Sequence, residues 1–264
     1  MPTDYRLLLF ALLLPLAAIL TPGEFSPVRA AHADGGTAEL SFDHSYAAWG
    51  FLLRKHVRHD GLVDYEGLQS NASLKAFLES VASVSAEEVA GWSRAQKIAF
   101  YCNAYNAYTF QTILDAWPVQ SIRDIKPDAW DHARWKVAGQ SMSLNDIEHK
   151  QLRGQLKEYR VHFVLVCAAK SCPVLPNKAI VPEAVDSQLE RYARAFFTDT
   201  SRNRVDVAAG KVYLSRLLDW YRGDFNDKPA AYMAKYVDAE TKSFLEGGRF
   251  TVEFNPYDWS LNKQ

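Results

Sequence analysis

The sequence predicts a helix-rich α+β fold, a single domain with a small, mostly antiparallel sheet. Three observations predict it. Apolar residues recur at helical spacing over several stretches, the longest from about Arg94 to Ala116. Two pairs of short, partly β-branched runs flank Gly139-Gln140 and Ala209-Gly210, the pattern of hairpins. Strand and helix signals do not alternate regularly, which argues against a parallel sheet with crossover helices.

Taken in order, Phe42 to Val57 carries Tyr46, Trp49, Leu52 and Leu53 at helical spacing, and Asp60-Gly61 breaks it. Leu62 to Tyr65 reads as a short extended piece. Ser73 to Val81 reads as a helix, and Ser85 with Glu88 three residues on is a capping box for another. Trp117-Pro118 stops the long helix. Trp135 to Ala138 and Ser141 to Ser143 form the first hairpin. Ser143, with Asp146 three residues on, caps a helix from Leu144 to Arg153, which Gly154 ends. Arg160 to Cys167 is the clearest strand signal, followed by an irregular loop to Lys178. Pro182 to Phe197 is helical, Val205–Val207 and Val212–Leu214 form the second hairpin, and Ser215 caps a helix through Asp224. The remaining residues, 227–264, read as an aromatic and less regular extension.

Composition limits the function classes. The chain has 264 residues, 48% hydrophobic and 23% charged, with a net charge of −1. That is globular composition, and it offers no basic surface for nucleic acid. Leu7 to Leu20 is an apolar run preceded by Arg6 and followed by Ala31-His32-Ala33. Charge, short apolar core and small-x-small site define a cleavable secretory signal over residues 1–33. The mature protein, residues 34–264, is therefore expected to be periplasmic or secreted and not membrane-spanning. Its oligomeric state is not legible, and nothing calls for a cofactor.

The candidate site comes from inward-facing polar residues. On the long helix Lys97, Gln111, Thr112 and Asp115 share the expected wet face. Asn103 and Asn106 fall opposite, among Ala99, Phe110 and Ile113. A buried amide must find partners, so the two either brace loop backbones or orient a catalytic group. On the next helix Glu148 falls on the apolar face and His149 on its flank. In the expected strand, His162 shares a side with Val164 and Val166. Three cysteines, Cys102, Cys167 and Cys172, leave at least one thiol unpaired. Cys167 and Cys172 stand five apart, able to close a small disulfide or to leave Cys172, beside Lys170, as a reactive thiolate. His56 and His59 near Arg58 read as a solvated helix end.

Several stretches together resemble the domain of unknown function 547 family, DUF547, in an exported bacterial form. They are Gly61–Leu68, Phe100–Ala107, Ser143–His149 with Leu152-Arg153, His162–Pro173 and Tyr213–Phe225, within a core of about 42–226. The resemblance marks Asn103, Asn106, Glu148, His149, His162, Cys172 and Pro173 as matching the family pattern. It implies that Cys102 is incidental. It also implies that Arg160 lacks an acidic partner, because Glu158-Tyr159 stands where the family carries an acidic residue before it. Similar domains in cytosolic plant proteins argue for a reduced thiol or a packing role rather than a disulfide.

Three functions follow as expectations. One is a thiol-dependent hydrolase or acyl transferase, with Cys172 as nucleophile, His162 or His149 as base, and Asn103, Asn106 or Glu148 orienting the imidazole. The second is a non-catalytic envelope binding or scaffold domain working through Trp130, Trp135 and Trp220. The third is a metal site of Glu148, His149, His162 and Cys172. The ligand would be an unidentified small molecule or peptide.

Overall fold

The computed structural model describes residues 41–264. The expected signal and its cleavage site, with the residues up to 40, lie outside the described residues. The fold is α+β and helix-rich, with two small sheets. Helices α1 (Ala47–His56), α2 (Tyr65–Leu68), α3 (Ala72–Ser83) and α4 (Ala86–Ala90) pack around α5 (Arg94–Asp115). Strands β1 (Trp135–Val137) and β2 (Gln140–Met142) form the first hairpin, in register Lys136 to Ser141. A π-helix (Asp146–Gln155) and a 3-10 turn (Tyr159–Phe163) follow, then α6 (Val185–Thr198). Strands β3 (Arg204–Asp206) and β4 (Lys211–Leu214) pair antiparallel as the second hairpin. After α7 (Leu217–Trp220), α8 (Pro229–Met233) and α9 (Ala239–Gly247), strand β5 (Thr251–Phe254) joins β4 in parallel. The C-terminal extension is thus built of regular elements, where the sequence suggested irregularity.

Helix α5 starts where expected, on a reciprocal capping box between Ser93 and Gln96. Its expected wet face is narrower than the helical wheel suggested. Every residue from Ile98 to Phe110 is buried, and Thr112 is fully buried as well, bonded to Tyr108 O and to Arg134. Neighbours on all sides cover the middle of this helix, so only its ends meet solvent. One apolar cluster surrounds α5, and a second packs α6 against β4, α8 and α9.

The expected strand from Arg160 to Cys167 does not form. Val161 to Val166 is buried throughout, so its β-branched residues satisfy burial rather than a sheet. Asn106 takes the place of a neighbouring strand: its amide donates to Val164 O at 2.9 Å and accepts from Val166 N at 3.0 Å. Asn103 does the same for another segment, donating to Ile180 O at 2.7 Å and accepting from Ile180 N and Trp49 Nε1. Both amides brace backbone.

Three further expectations change. Arg160 does have an acidic partner, since Glu158 accepts from its Nε at 2.7 Å and from its Nη2 at 2.8 Å. The helix capped by Ser215 breaks after Trp220 into a 3-10 turn, Arg222–Phe225. His56 is buried, with Nδ1 3.0 Å from Asp64, rather than solvated.

Candidate active site

Ser143 and Asp146 cap each other's backbone as expected, Asp146 N donating to Ser143 Oγ and Ser143 N to Asp146 Oδ2. The helix they open is wound wider than α, with Leu156 N bonded to Gln151 O five residues back. Gly154 suits this winding. A Cβ there would lie 2.8 Å from His149 O, too close for any other residue without a shift. Glu148 is buried on this helix and His149 is partly exposed.

Glu148, His149 and His162 line one cleft of about 330 Å³ together with Cys167 and Cys172. Asn103 and Asn106 do not line it. Asn106 still matters to the site, because it fixes the backbone between His162 and Cys167.

The two histidines are held in opposite senses. His162, 2% exposed, donates from Nε2 to Asp224 Oδ2 at 2.7 Å. Its Nδ1 lies 3.6 Å from Glu148 Oε1. The Tyr221 ring covers it at 4.0 Å between centroids. His149 accepts at Nδ1 from Arg153 Nη1 at 2.7 Å. An arginine can only donate, so the proton of neutral His149 sits on Nε2. Burial lowers the pKa of His149. Arg153 and His162 add to that effect and Glu148 opposes it, so the neutral form prevails at neutral pH.

Asp224 joins the two. It accepts both from His162 and, in bidentate fashion, from Arg153, with Nη2 to Oδ1 at 3.0 Å. Burial alone would raise its pKa. The hydrogen bonds and charges of His162 and Arg153 outweigh burial and hold the carboxyl at about 2. The hydroxyls of Tyr105 and Tyr221 also face this network. Burial, and then the neighbouring Glu148, push both well above the usual tyrosine range.

Cys167 and Cys172 are joined by a disulfide, with Cα atoms 6.5 Å apart. The spacing left this pairing open, and the family resemblance argued against it. Cys172 Sγ also accepts from Cys167 N and from the Tyr257 hydroxyl, each at 3.2 Å. While the bond stands, Cys172 carries no thiolate. Cys102 is the free cysteine among the described residues. It is buried in α5, and burial raises its thiol far above the usual range.

The C-terminal segment secures the cysteine loop. Lys170 N donates to Ser260 O, Ser171 N to Asp258 O and Asn262 N to Ala168 O. Arg202 clamps Cys172 O with Nε at 3.0 Å and Nη2 at 2.8 Å. The same segment supplies Tyr257 and Trp259 to an aromatic wall. There Trp220 lies 4.8 Å from Tyr257 and 5.5 Å from Trp259, and Trp130 lies 5.9 Å from Trp259. Of the tryptophans expected to form a working surface, Trp130 and Trp220 line the cleft. Trp135 instead stacks on Tyr108 at 4.6 Å.

Asp224, Tyr105, Tyr221 and Tyr257 were not singled out from sequence. Asp224 and Tyr221 stand within the Tyr213–Phe225 stretch. The available signal was an acid directly after a glycine, Gly223-Asp224, at the end of the expected helix. The expected four-residue metal set is not assembled: among the described residues no group of three or more His, Cys, Asp or Glu side chains gathers as a metal site.

Residues 89–197 match the family described as a protein of unknown function, DUF547. No curated protein and no solved structure matches the chain. The DUF547 stretch carries Glu148, His149, Arg153, His162 and both cleft cysteines. Asp224, Trp220 and the Tyr257–Trp259 wall come from beyond it.

Proposed function

We propose that the cleft is the active site of a cysteine-dependent hydrolase or acyl transferase, exported and switched on by reduction of its disulfide. One observation carries the reading: a buried histidine, oriented by the partly buried Asp224 carboxylate, faces the cleft that Cys172 also lines. This is the base-and-orienter arrangement of thiol catalysis. The orienter in this reading is Asp224, in place of Asn103, Asn106 or Glu148. The base is His162, because Arg153 already occupies Nδ1 of His149. His149 then serves as a donor through Nε2–H.

The chemistry begins with a dithiol reductant. It gives two electrons and two protons to Cys167–Cys172 and becomes a disulfide itself. Cys172 passes its proton to His162 Nδ1, and the sulfur attacks the acyl carbon. The adduct expels an amine or alcohol, which takes the proton from His162. Water, or an acceptor hydroxyl or amine, next loses a proton to His162 and attacks the thioester. Cys172 leaves as the thiol, protonated by His162. In the oxidised form the cleft only binds. An oxidising compartment, expected from residues 1–33, keeps that form in place until a reductant arrives.

The test uses Cys167→Ser, which frees Cys172 permanently. Iodoacetamide labelling at neutral pH, mapped by mass spectrometry, is expected to modify Cys172 quickly in this variant and to spare Cys102. The wild type should label only after reduction. If Cys172 in folded Cys167→Ser reacts no faster than Cys102, the thiol reading is wrong.

A further inference from the structure

The charge of the cleft lining is one-sided. Asp128, Asp131 and Glu148 line it, and no lysine or arginine does, although the whole chain is close to neutral at −1. The nearby arginines are already engaged. Arg153 is bound to Asp224, and Arg123 lies over Trp259 at 5.2 Å. That last contact shows that a wall ring accepts a cation on its face. Trp220, 48% exposed, leaves its ring accessible beside the cleft instead of burying it, which costs apolar contact unless a ligand covers it.

From these features we infer that the cleft selects a positively charged ligand, an ammonium or guanidinium group seated between the aromatic wall and the Asp128–Asp131 rim. The inference rests on the cleft being the functional site. It is independent of whether Cys172 is a nucleophile. A cation there gains attraction from the two rim carboxylates and from ring faces, while an anion meets repulsion with no lysine or arginine in the lining to offset it. Asp128 and Asp131 are exposed at the rim and already shaped for the task. Asp128 Oδ1 accepts from Trp130 N at 2.9 Å and Asp131 Oδ1 from Asn145 Nδ2 at 2.7 Å, which fixes both carboxylates.

The test is a binding titration on the oxidised protein, where no thiol chemistry can interfere, read by tryptophan fluorescence and calorimetry. The probes are butylammonium chloride, an end-blocked tripeptide with a central arginine, and the same tripeptide with citrulline or glutamate. At least one cationic probe should saturate, with affinity falling as salt rises. The arginine tripeptide should bind at least about fivefold tighter than its citrulline form, and the glutamate form should not bind. The tighter of the two cations tells a free amine from a basic peptide side chain. Asp128→Asn with Asp131→Asn should weaken the cation about tenfold while circular dichroism stays unchanged, since asparagine keeps the turn acceptors. Equal binding of the arginine and citrulline peptides, or no saturable cation binding, overturns the inference. Labelling of Cys172 in Cys167→Ser is unaffected by either result, so the two readings fail separately.

Discussion

At the floor of the cleft two imidazoles are held from behind by a carboxylate and a guanidinium through directed hydrogen bonds. In the wall four aromatic rings lean on one another through their faces and edges. The floor is specific because each donor there has one acceptor. Arg153 occupies His149 Nδ1 and Asp224 occupies His162 Nε2, so two residues of the same type are left with opposite free functions. The wall is tolerant, since ring contacts vary softly with angle and distance. A floor of this kind suits chemistry, and a wall of this kind suits recognition.

Breaking the floor should have the largest effect. Asp224→Asn removes the charge opposite Arg153 and His162 at a side chain only 12% exposed. Loss of one partner from such a pair should cost about 3 kcal/mol in urea unfolding. The amide would also disturb the His162 tautomer, lowering the proposed acyl transfer about a thousandfold or more in the reduced protein. A variant with wild-type stability would show that the floor is not held by this carboxylate.

Acid should expose the same pair more gently. The Asp224 carboxyl sits at about 2, below the usual 3.8. A carboxyl lowered in the folded state stabilises the fold above the unfolded value, and that contribution is lost as pH falls through the folded value. It amounts to about 2 kcal/mol. Glu158 and Asp199 are lowered too, so wild type alone cannot isolate the effect. Stability measured from pH 5 to pH 2 should fall by about 2 kcal/mol more in wild type than in Asp224→Asn. Parallel curves would assign the acid sensitivity elsewhere.

The wall should give the smallest change. Trp220→Ala should alter stability by less than about 1 kcal/mol, because nearly half of the ring is already in water. The rate of Cys172 labelling in the Cys167→Ser background should be unchanged by it. A large loss of stability would mean that the wall is core rather than recognition surface.

How far these regions were legible from sequence follows the distance over which their interactions act. The long helix and both hairpins were readable because their caps and turns are local: Ser93 reaches Gln96, and Gly139 takes a positive φ. The strand expected through His162 failed because its edge is taken by Asn106, a residue on another element. Glu148, His149 and His162 were found from face periodicity and Cys172 from the cysteine count and its neighbour Lys170, and all four line the cleft. Asp224 was missed because its meaning lies in Arg153 and His162, 71 and 62 residues away. The wider winding after Asn145 left no mark in the apolar spacing beyond a glycine that looked like a helix end.

Asn262 and Gln264 tie the cysteine loop to the segment around Val63: Asn262 N bonds to Ala168 O, Val63 N to Asn262 O, and Gln264 N to Val63 O. The cleft is therefore closed by contacts between residues far apart in the chain. Contacts so distant in sequence form slowly. A molecule stalled or clipped before Tyr257 would keep its cysteines and histidines but lack the clamp that holds them. The cysteine loop is thus held only once residues well beyond it in the chain have been made.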